Sequence, residues 1–159
     1  MKASFLLKDI RKEYKLLKTF DDGHFSTVSK AHHLSEKEPH YYLAIKSISF
    51  RNLSKKDYDD LVKVVDIISG KAHPNMIKIY ETYHNKFFFH IFMELCQGKG
   101  VFDSFANHGY MQEKKVVNII LKVLLAIAYC NNRGITHRDL KPENILFEYL
   151  KSDAEIKLY

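Results

Sequence analysis

The apolar residues change their spacing once along this chain of 159 residues, and that change limits the fold more than any other feature. Before residue 98, short runs of aromatic and β-branched residues alternate with turn signals, which favours strands. After Gly98-Lys99-Gly100, the apolar residues recur at helical spacing. The pattern therefore predicts a strand-rich lobe followed by a helical one, with the boundary at this glycine segment.

The strand-rich part predicts five strands and one helix. The strand candidates are bounded by turn signals and span residues 14–20, 25–31, 41–48, 77–83 and 87–94. The helix is expected to begin after Ser54, whose side chain would cap it together with Asp57, and to end at Gly70.

The second part predicts a short helix over Val101–His108 and a long helix over Glu113–Asn132. Apolar residues wrap most of the circumference of the long helix, which indicates burial among other helices. Asn118 and Lys122 interrupt it, so we expect no membrane-spanning segment.

Charge and cysteine content favour an ordinary globular chain. There are 25 Lys and Arg against 19 Asp and Glu, a net charge of +6, but the basic residues are scattered. We therefore predict no nucleic-acid binding. The nine histidines are also scattered and do not predict a zinc site, and two cysteines cannot form a disulfide framework. The thiols favour a reducing, cytoplasmic location.

The strongest chemical signal directly follows the long helix: His137-Arg138-Asp139-Leu140-Lys141-Pro142-Glu143-Asn144. This run resembles the catalytic loop of eukaryotic protein kinases, which transfer a phosphoryl group from ATP to a hydroxyl group. The resemblance implies that Asp139 is the catalytic base, Lys141 stabilises developing charge and Asn144 binds Mg²⁺. Because its lysine comes two residues after the aspartate, the loop resembles that of serine/threonine kinases. The resemblance implies protein substrates with Ser or Thr.

Three further segments resemble the ATP site of the same family. Leu43-Ala44-Ile45-Lys46 is similar to the strand whose lysine holds phosphates and whose alanine packs on adenine. The segment from Asp21 to Val28 lies where the family has its glycine-rich loop, and Met93-Glu94-Leu95-Cys96 resembles the hinge. Backbone groups of Glu94 and Cys96 would bond the adenine edge. The ATP-binding residues that the resemblance implies are Asp21, Gly23, Phe25, Val28, Ala44, Lys46, Met93, Glu94 and Cys96.

The resemblance covers Tyr14 to Tyr159 and is most similar to the calcium-dependent and calmodulin-dependent kinases, as His73-Pro74-Asn75 indicates. It implies an α+β, protein-kinase-like fold. The implied N-terminal extension would span residues 1–13. A five-stranded antiparallel N-lobe with one helix would span residues 14–97 together with the hinge. Part of a mainly helical C-lobe would span residues 98–159. Any calcium-sensing region would lie outside this chain.

Several positions depart from the family pattern. The helix glutamate that pairs with the strand lysine falls at Val64; Asp60 or Asp66 could replace it, or both could face solvent. Asp21 replaces a glycine, and Gly100 stands where an acid meets the ribose. The last residues resemble the strand before an Asp-Phe-Gly motif, so we expect an incomplete catalytic domain that is inactive alone. Alternatives are an inactive kinase-like binding protein and a truncated gene product.

Overall fold

A computed structural model describes residues 9–22, 26–35, 41–69, 73–98, 100–151 and 154–159. The predicted ATP-site residues Gly23 and Phe25, and the predicted helix stop Gly70, lie outside these ranges. The chain divides into two compact units, one formed by residues 1–71 and 78–95 and the other by residues 72–77 and 96–159.

The first unit is built on a five-stranded antiparallel sheet. Its strands are ordered β1-β2-β3-β5-β4, and one helix, α1, connects β3 to β4. In the described part of this unit, this confirms the predicted five-stranded antiparallel sheet and its one α-helix. The bounds are β1 Tyr14–Asp22, β2 Ser26–His33, β3 Leu43–Ser49, α1 Lys55–Ser69, β4 Ile79–His84 and β5 Phe88–Glu94.

Helix α1 begins at a reciprocal cap, as the sequence predicted. The Ser54 hydroxyl accepts a bond from the backbone N–H of Asp57 at 3.1 Å and donates one to its carboxylate at 2.5 Å. The helix places Val65, which is 4% exposed, against Phe89 and Ile91 of β5. Burial of these side chains holds α1 on one face of the sheet.

The opposite face of the sheet carries a second core. A short 3-10 helix, Ile10–Lys12, inserts Ile10 among Ala31, Ile45, Tyr83 and Phe92. All five side chains are less than 9% exposed. Part of the segment that we predicted as an N-terminal extension therefore contributes to the core of the first unit.

Strand β4 begins at Ile79, two residues later than predicted, and the cause lies in the second unit. The N–H of Ile77 donates to the carbonyl of Leu158, and Met76 forms a parallel bridge with the same residue. These backbone groups are already paired, so this end of the predicted strand does not join the sheet.

The second unit contains α2 (Val101–His108), α3 (Glu113–Asn131) and a two-stranded sheet of β6 (Ile145–Phe147) and β7 (Ile156–Leu158). The two predicted helices are present, and the strand predicted at the C-terminal end corresponds to β7. Strand β6 was not predicted, because three residues are too few for an alternating pattern to be recognised.

Among the described residues, helix α3 is buried along one side, although its apolar residues wrap most of its circumference. Ile119 and Val123 pack with Phe147 and Ile156 of the two-stranded sheet. Its other side carries apolar residues that are each more than half exposed: Val117, Ile120, Leu121, Leu124 and Leu125. Within the described ranges the small sheet covers only part of the helix surface. None of the described helices is long and apolar enough to cross a membrane.

Within this second unit, the segment 73–77 is bonded to the rest of the unit through Asn75, which is 5% exposed. Its amide nitrogen donates to the Glu155 carboxylate at 3.2 Å and to the carbonyl of Ile156 at 3.1 Å. Its own carbonyl accepts from the N–H of Leu158. Lys122 of α3 binds the same carboxylate of Glu155 at 2.7 Å. The side chain that directly precedes β7 is therefore bonded both to α3 and to the segment 73–77.

Candidate active site

The loop between α3 and β6 has an unusual backbone. Arg138 has φ of 64°, the only positive value at a non-glycine position among the described residues. This left-handed conformation is unfavourable for a residue with a side chain, and such residues are enriched at functional sites. Pro142 then begins a 3-10 helix, Pro142–Asn144, with the φ angle that a first helical turn requires.

This backbone brings together the three residues to which the sequence assigned chemistry. One carboxylate oxygen of Asp139, Oδ2, accepts a bond from the amide nitrogen of Asn144 at 2.9 Å and lies 3.0 Å from the ammonium group of Lys141. The same amide nitrogen also donates to the backbone carbonyl of Asp139 at 2.7 Å. The Asp139 side chain is 65% exposed.

These contacts act on the charge of Asp139. Its pKa is held below the ordinary value, first by the bond to Lys141, then by the bond to Asn144. Partial desolvation opposes the lowering, and a smaller electrostatic effect of His137 adds to it. The carboxylate is therefore ionised at neutral pH and available as a hydrogen-bond acceptor.

The loop is tied to the last strand on both sides. Nε2 of His137 donates to the carbonyl of Tyr159 at 3.0 Å, and the N–H of Tyr159 donates to the carbonyl of Asn144 at 2.9 Å. No role was predicted for His137, although it lies in the motif itself. The structure gives it a positioning contact with the residue that follows β7.

In the first unit, four of the predicted ATP-site residues share one face of the sheet. Val28 lies opposite Lys46, and Ala44 lies opposite Met93. Because paired residues in an antiparallel sheet point to the same side, the register places all four on one face. Lys46 is also opposite Ile91, which packs against α1, so this is the face that α1 covers in part.

For the other described residues of the predicted ATP site, the structure gives backbone contacts or exposure but no position on the sheet face. Asp21 pairs with Val28 along the backbone, but its side chain is not described. The N–H of Glu94 donates to the carbonyl of Lys78 at 2.9 Å, and its carboxylate accepts from the N–H of Lys78. The N–H of Glu94 is thus not the group that would bond adenine. Cys96 belongs to the second unit and is half-buried.

The predicted departure on α1 has a structural counterpart. Val64 is half-buried, and Asp60 forms an i,i+3 ion pair with Lys63 at 3.7 Å, while Asp66 is exposed. The ion pair therefore joins Asp60 to a residue of its own helix. This favours the interpretation that Asp60 is a solvent-facing residue.

The sequence did not predict why position 98 must be glycine, because the reason is a residue far away in the sequence. The N–H groups of Gln97 and Gly98 donate to the carbonyls of Glu148 and Phe147. A Cβ atom on Gly98 would lie 2.5 Å from Cβ of Phe147 and in contact with its backbone oxygen. Glycine is needed here for the close approach of two backbones. The sequence indicated only that Gly98 belongs to the segment that separates the two predicted lobes.

Comparison with known proteins agrees with this fold and loop. The family model described as protein kinase domain matches residues 14–159. The chain therefore belongs to the protein kinase family.

The relatives that it matches include calcium-dependent and calcium/calmodulin-dependent protein kinases. Calcium-dependent protein kinase 11 of Arabidopsis thaliana is 37% identical over 150 residues, which cover 93% of this chain and 30% of that protein. Calcium/calmodulin-dependent protein kinase type II of Schizosaccharomyces pombe is 35% identical over 144 residues, 88% of this chain and 28% of that protein. The chain spans about 30% of the length of these curated relatives.

Proposed function

We propose that this chain carries the ATP-binding face and the catalytic loop of a protein serine/threonine kinase, which transfers the γ-phosphoryl group of ATP to protein hydroxyls. The main support is the convergence of Lys141 and Asn144 on one carboxylate oxygen of Asp139. In this proposal residues 14–97 form the N-lobe and hinge, and residues 98–159 form the beginning of the C-lobe. The proposed location of the protein is the cytoplasm.

Asp139 is the proposed catalytic base. Its Oδ2 is engaged by Lys141 and Asn144, which leaves Oδ1 to accept a bond from the attacking hydroxyl. That bond orients the hydroxyl oxygen and gives its proton an acceptor. The ammonium group of Lys141 lies beside the reacting region, where a cation offsets developing negative charge.

The amide of Asn144 fits the proposed binding of Mg²⁺. Both of its described hydrogen bonds leave from the nitrogen towards Asp139, so the amide is oriented with its oxygen pointing away from them. Magnesium takes oxygen ligands. Bound Mg²⁺ would neutralise phosphate charge, and the contribution of this chain is to hold the Asn144 oxygen in a fixed direction.

For ATP, the proposed surface is the sheet face that carries Val28, Ala44, Lys46 and Met93. Lys46 would bind phosphate oxygens, and the small Ala44 would leave room for the adenine ring. Asp21, Gly23 and Phe25 would contribute from the β1–β2 connection, and the backbones of Glu94 and Cys96 from the hinge. The preference for serine or threonine is proposed from Lys141 and from the kinds of kinase named among the relatives.

A second candidate function is nucleotide binding without phosphoryl transfer. Val64 at the position of the helix carboxylate, with Asp60 paired to Lys63, favours it. A valine side chain has no charge to pair with a lysine, and protein kinases need that ion pair in place for phosphoryl transfer.

The decisive experiment uses the protein at its natural length, purified from cells, with radiolabelled ATP and Ser/Thr peptides. We expect transfer that Asp139→Asn lowers at least about 100-fold, the scale of a lost general base. Nucleotide binding, measured separately, should remain. Asp59→Asn on α1 is the matched control and should change neither. Binding without transfer in the wild type would favour the second candidate. Assays with calcium and with a chelator test the dependence that the relatives' names describe.

A further inference from the structure

The face of the sheet opposite α1 contains a groove of about 580 Å³ within the first unit. Its floor is a row of three residues on adjacent strands: Thr27 lies opposite Ser47, and Ser47 lies opposite His90. Each alternates along its strand with a residue of the proposed ATP face, so the two surfaces lie back to back across one sheet. The groove is therefore separate from the proposed catalytic function.

The hydrogen bonds of the floor fix which atoms can donate into the groove. The side-chain oxygen of Asn85 accepts from the N–H groups of Phe87 and Phe88, both at 2.8 Å, so its amide nitrogen faces Nε2 of His90 at 3.3 Å. An amide nitrogen only donates, which makes Nε2 the acceptor. The proton of the neutral ring then lies on Nδ1 and is donated to the Ser47 hydroxyl at 2.8 Å. Ser47 keeps its own hydrogen for an acceptor in the groove.

The walls combine apolar surface with positive charge. Leu16 and Phe88 are each more than a third exposed, and Phe87 is two-thirds exposed. Arg11 and Lys86 line the same groove.

Asp9 also lines the groove, but one of its carboxylate oxygens caps the 3-10 helix through the N–H of Arg11. Burial is the largest cause that lowers the pKa of His90, and the charge of Arg11 lowers it further, ahead of the opposing effect of Asp9. The charged side chains that line the groove are two cations, Arg11 and Lys86, and one carboxylate.

From these features we propose that the groove is a binding site for a small amphipathic carboxylate. The carboxylate would accept from Ser47 and Thr27 beside Arg11, and an aromatic or aliphatic body would cover Leu16 and Phe88. The volume is that of a site for a small organic ligand, and the lining follows the usual mixture of apolar walls with a few placed polar groups.

The probe for this site is 1-naphthylacetate, and its neutral isostere 1-naphthylacetamide tests the need for charge. Binding is followed by NMR, using the backbone amides of the chain and the ring of His90. We expect 1-naphthylacetate to shift the signals of Ser47 and His90 and to bind at least about fivefold more tightly than the amide, because a charged hydrogen bond is stronger than a neutral one.

Variants separate the site from general attraction to a basic chain. Arg11 is exposed, so Arg11→Gln should leave the fold intact and weaken the carboxylate about five- to tenfold without weakening the amide. Lys12→Gln removes the same charge from the same short helix, outside the groove, and should have no effect. Thr27→Val should weaken the carboxylate as well.

Three results would overturn the proposal: no binding at millimolar 1-naphthylacetate, an equal effect of Arg11→Gln and Lys12→Gln, or shifts confined to the exposed apolar side of α3.

Discussion

The side-chain amide of Asn144 donates to Asp139 twice, at 2.7 Å to its backbone carbonyl and at 2.9 Å to its carboxylate. This pair, with Lys141, controls how readily the carboxylate takes up a proton. Because the bond to Lys141 is the largest cause of the lowered pKa, Lys141→Ala should raise the pKa of Asp139 more than Asn144→Ala does.

Carbon-detected NMR titration of the Asp139 carboxylate measures this directly. Lys151→Ala, in the β6–β7 connection, removes one cation elsewhere and should leave the titration nearly unchanged. An Asp139 that titrates in the ordinary range in the wild type would contradict the geometry.

Gly98 and Gly100 offer a matched pair of substitutions. In Gly98→Ala the new methyl group overlaps the backbone of Phe147, and we expect a loss of about 1–3 kcal/mol in the free energy of unfolding. In Gly100→Ala the methyl group would lie 3.4 Å from a carboxylate oxygen of Asp103, and the loss should stay within about 1 kcal/mol. Urea unfolding followed by circular dichroism compares them; equal losses would show that the approach to Phe147 is not limiting.

His90 makes the first unit sensitive to acid. Burial lowers its pKa to about 4 in the folded chain, below the value of 6.5 of an ordinary histidine. The unfolded chain therefore binds the proton first as the pH falls. This contribution to stability is complete above about pH 6.5 and is lost progressively towards pH 4, by about 3 kcal/mol at most.

Urea unfolding between pH 4 and 8, followed by tyrosine fluorescence because the chain has no tryptophan, measures the slope. His90→Gln should flatten it. A slope that is the same in the variant would assign the acid sensitivity to other groups.

Ile10 anchors the short N-terminal 3-10 helix in the core beside Ile45 and Phe92. Ile10→Ala removes buried methyl groups and should lower the free energy of unfolding by about 2–4 kcal/mol. Lys12→Ala, at an exposed position of the same helix, should cost less than about 0.5 kcal/mol. Thermal unfolding of the two variants is sufficient; similar midpoints would remove Ile10 from the core.

Local patterns predicted the features that depend on residues close in sequence. The cap of α1 by Ser54 and Asp57 and the bounds of α2 follow from spacings of a few residues. The grouping of Asp139 with Asn144 was expected only from the resemblance of the loop to protein kinases. The need for glycine at position 98 and the bonds of Asn75 to β7 could not be predicted in this way. Each depends on a partner about fifty or more residues away, and no local spacing encodes it.

The groove floor shows the same limit in one sheet. Alternation in β3 predicts that Lys46 and Ser47 face opposite sides, but not that Ser47 meets His90. That contact depends on the register between β3 and β5, which the sequence pattern leaves open.

The chain enters its second unit twice, first over residues 72–77 and again from Cys96. The ribosome therefore releases Asn75 well before Glu155 and Leu158, the residues whose polar groups it bonds. During synthesis, the buried amide of Asn75 must stay hydrated until residues 155–158 emerge. For the same reason, cutting the chain before Cys96 does not yield two self-sufficient pieces, because a fragment that begins at Cys96 would expose the backbone of β7 that residues 75–77 cover. A split version of this protein should reassemble only when the first fragment brings that short peptide with it.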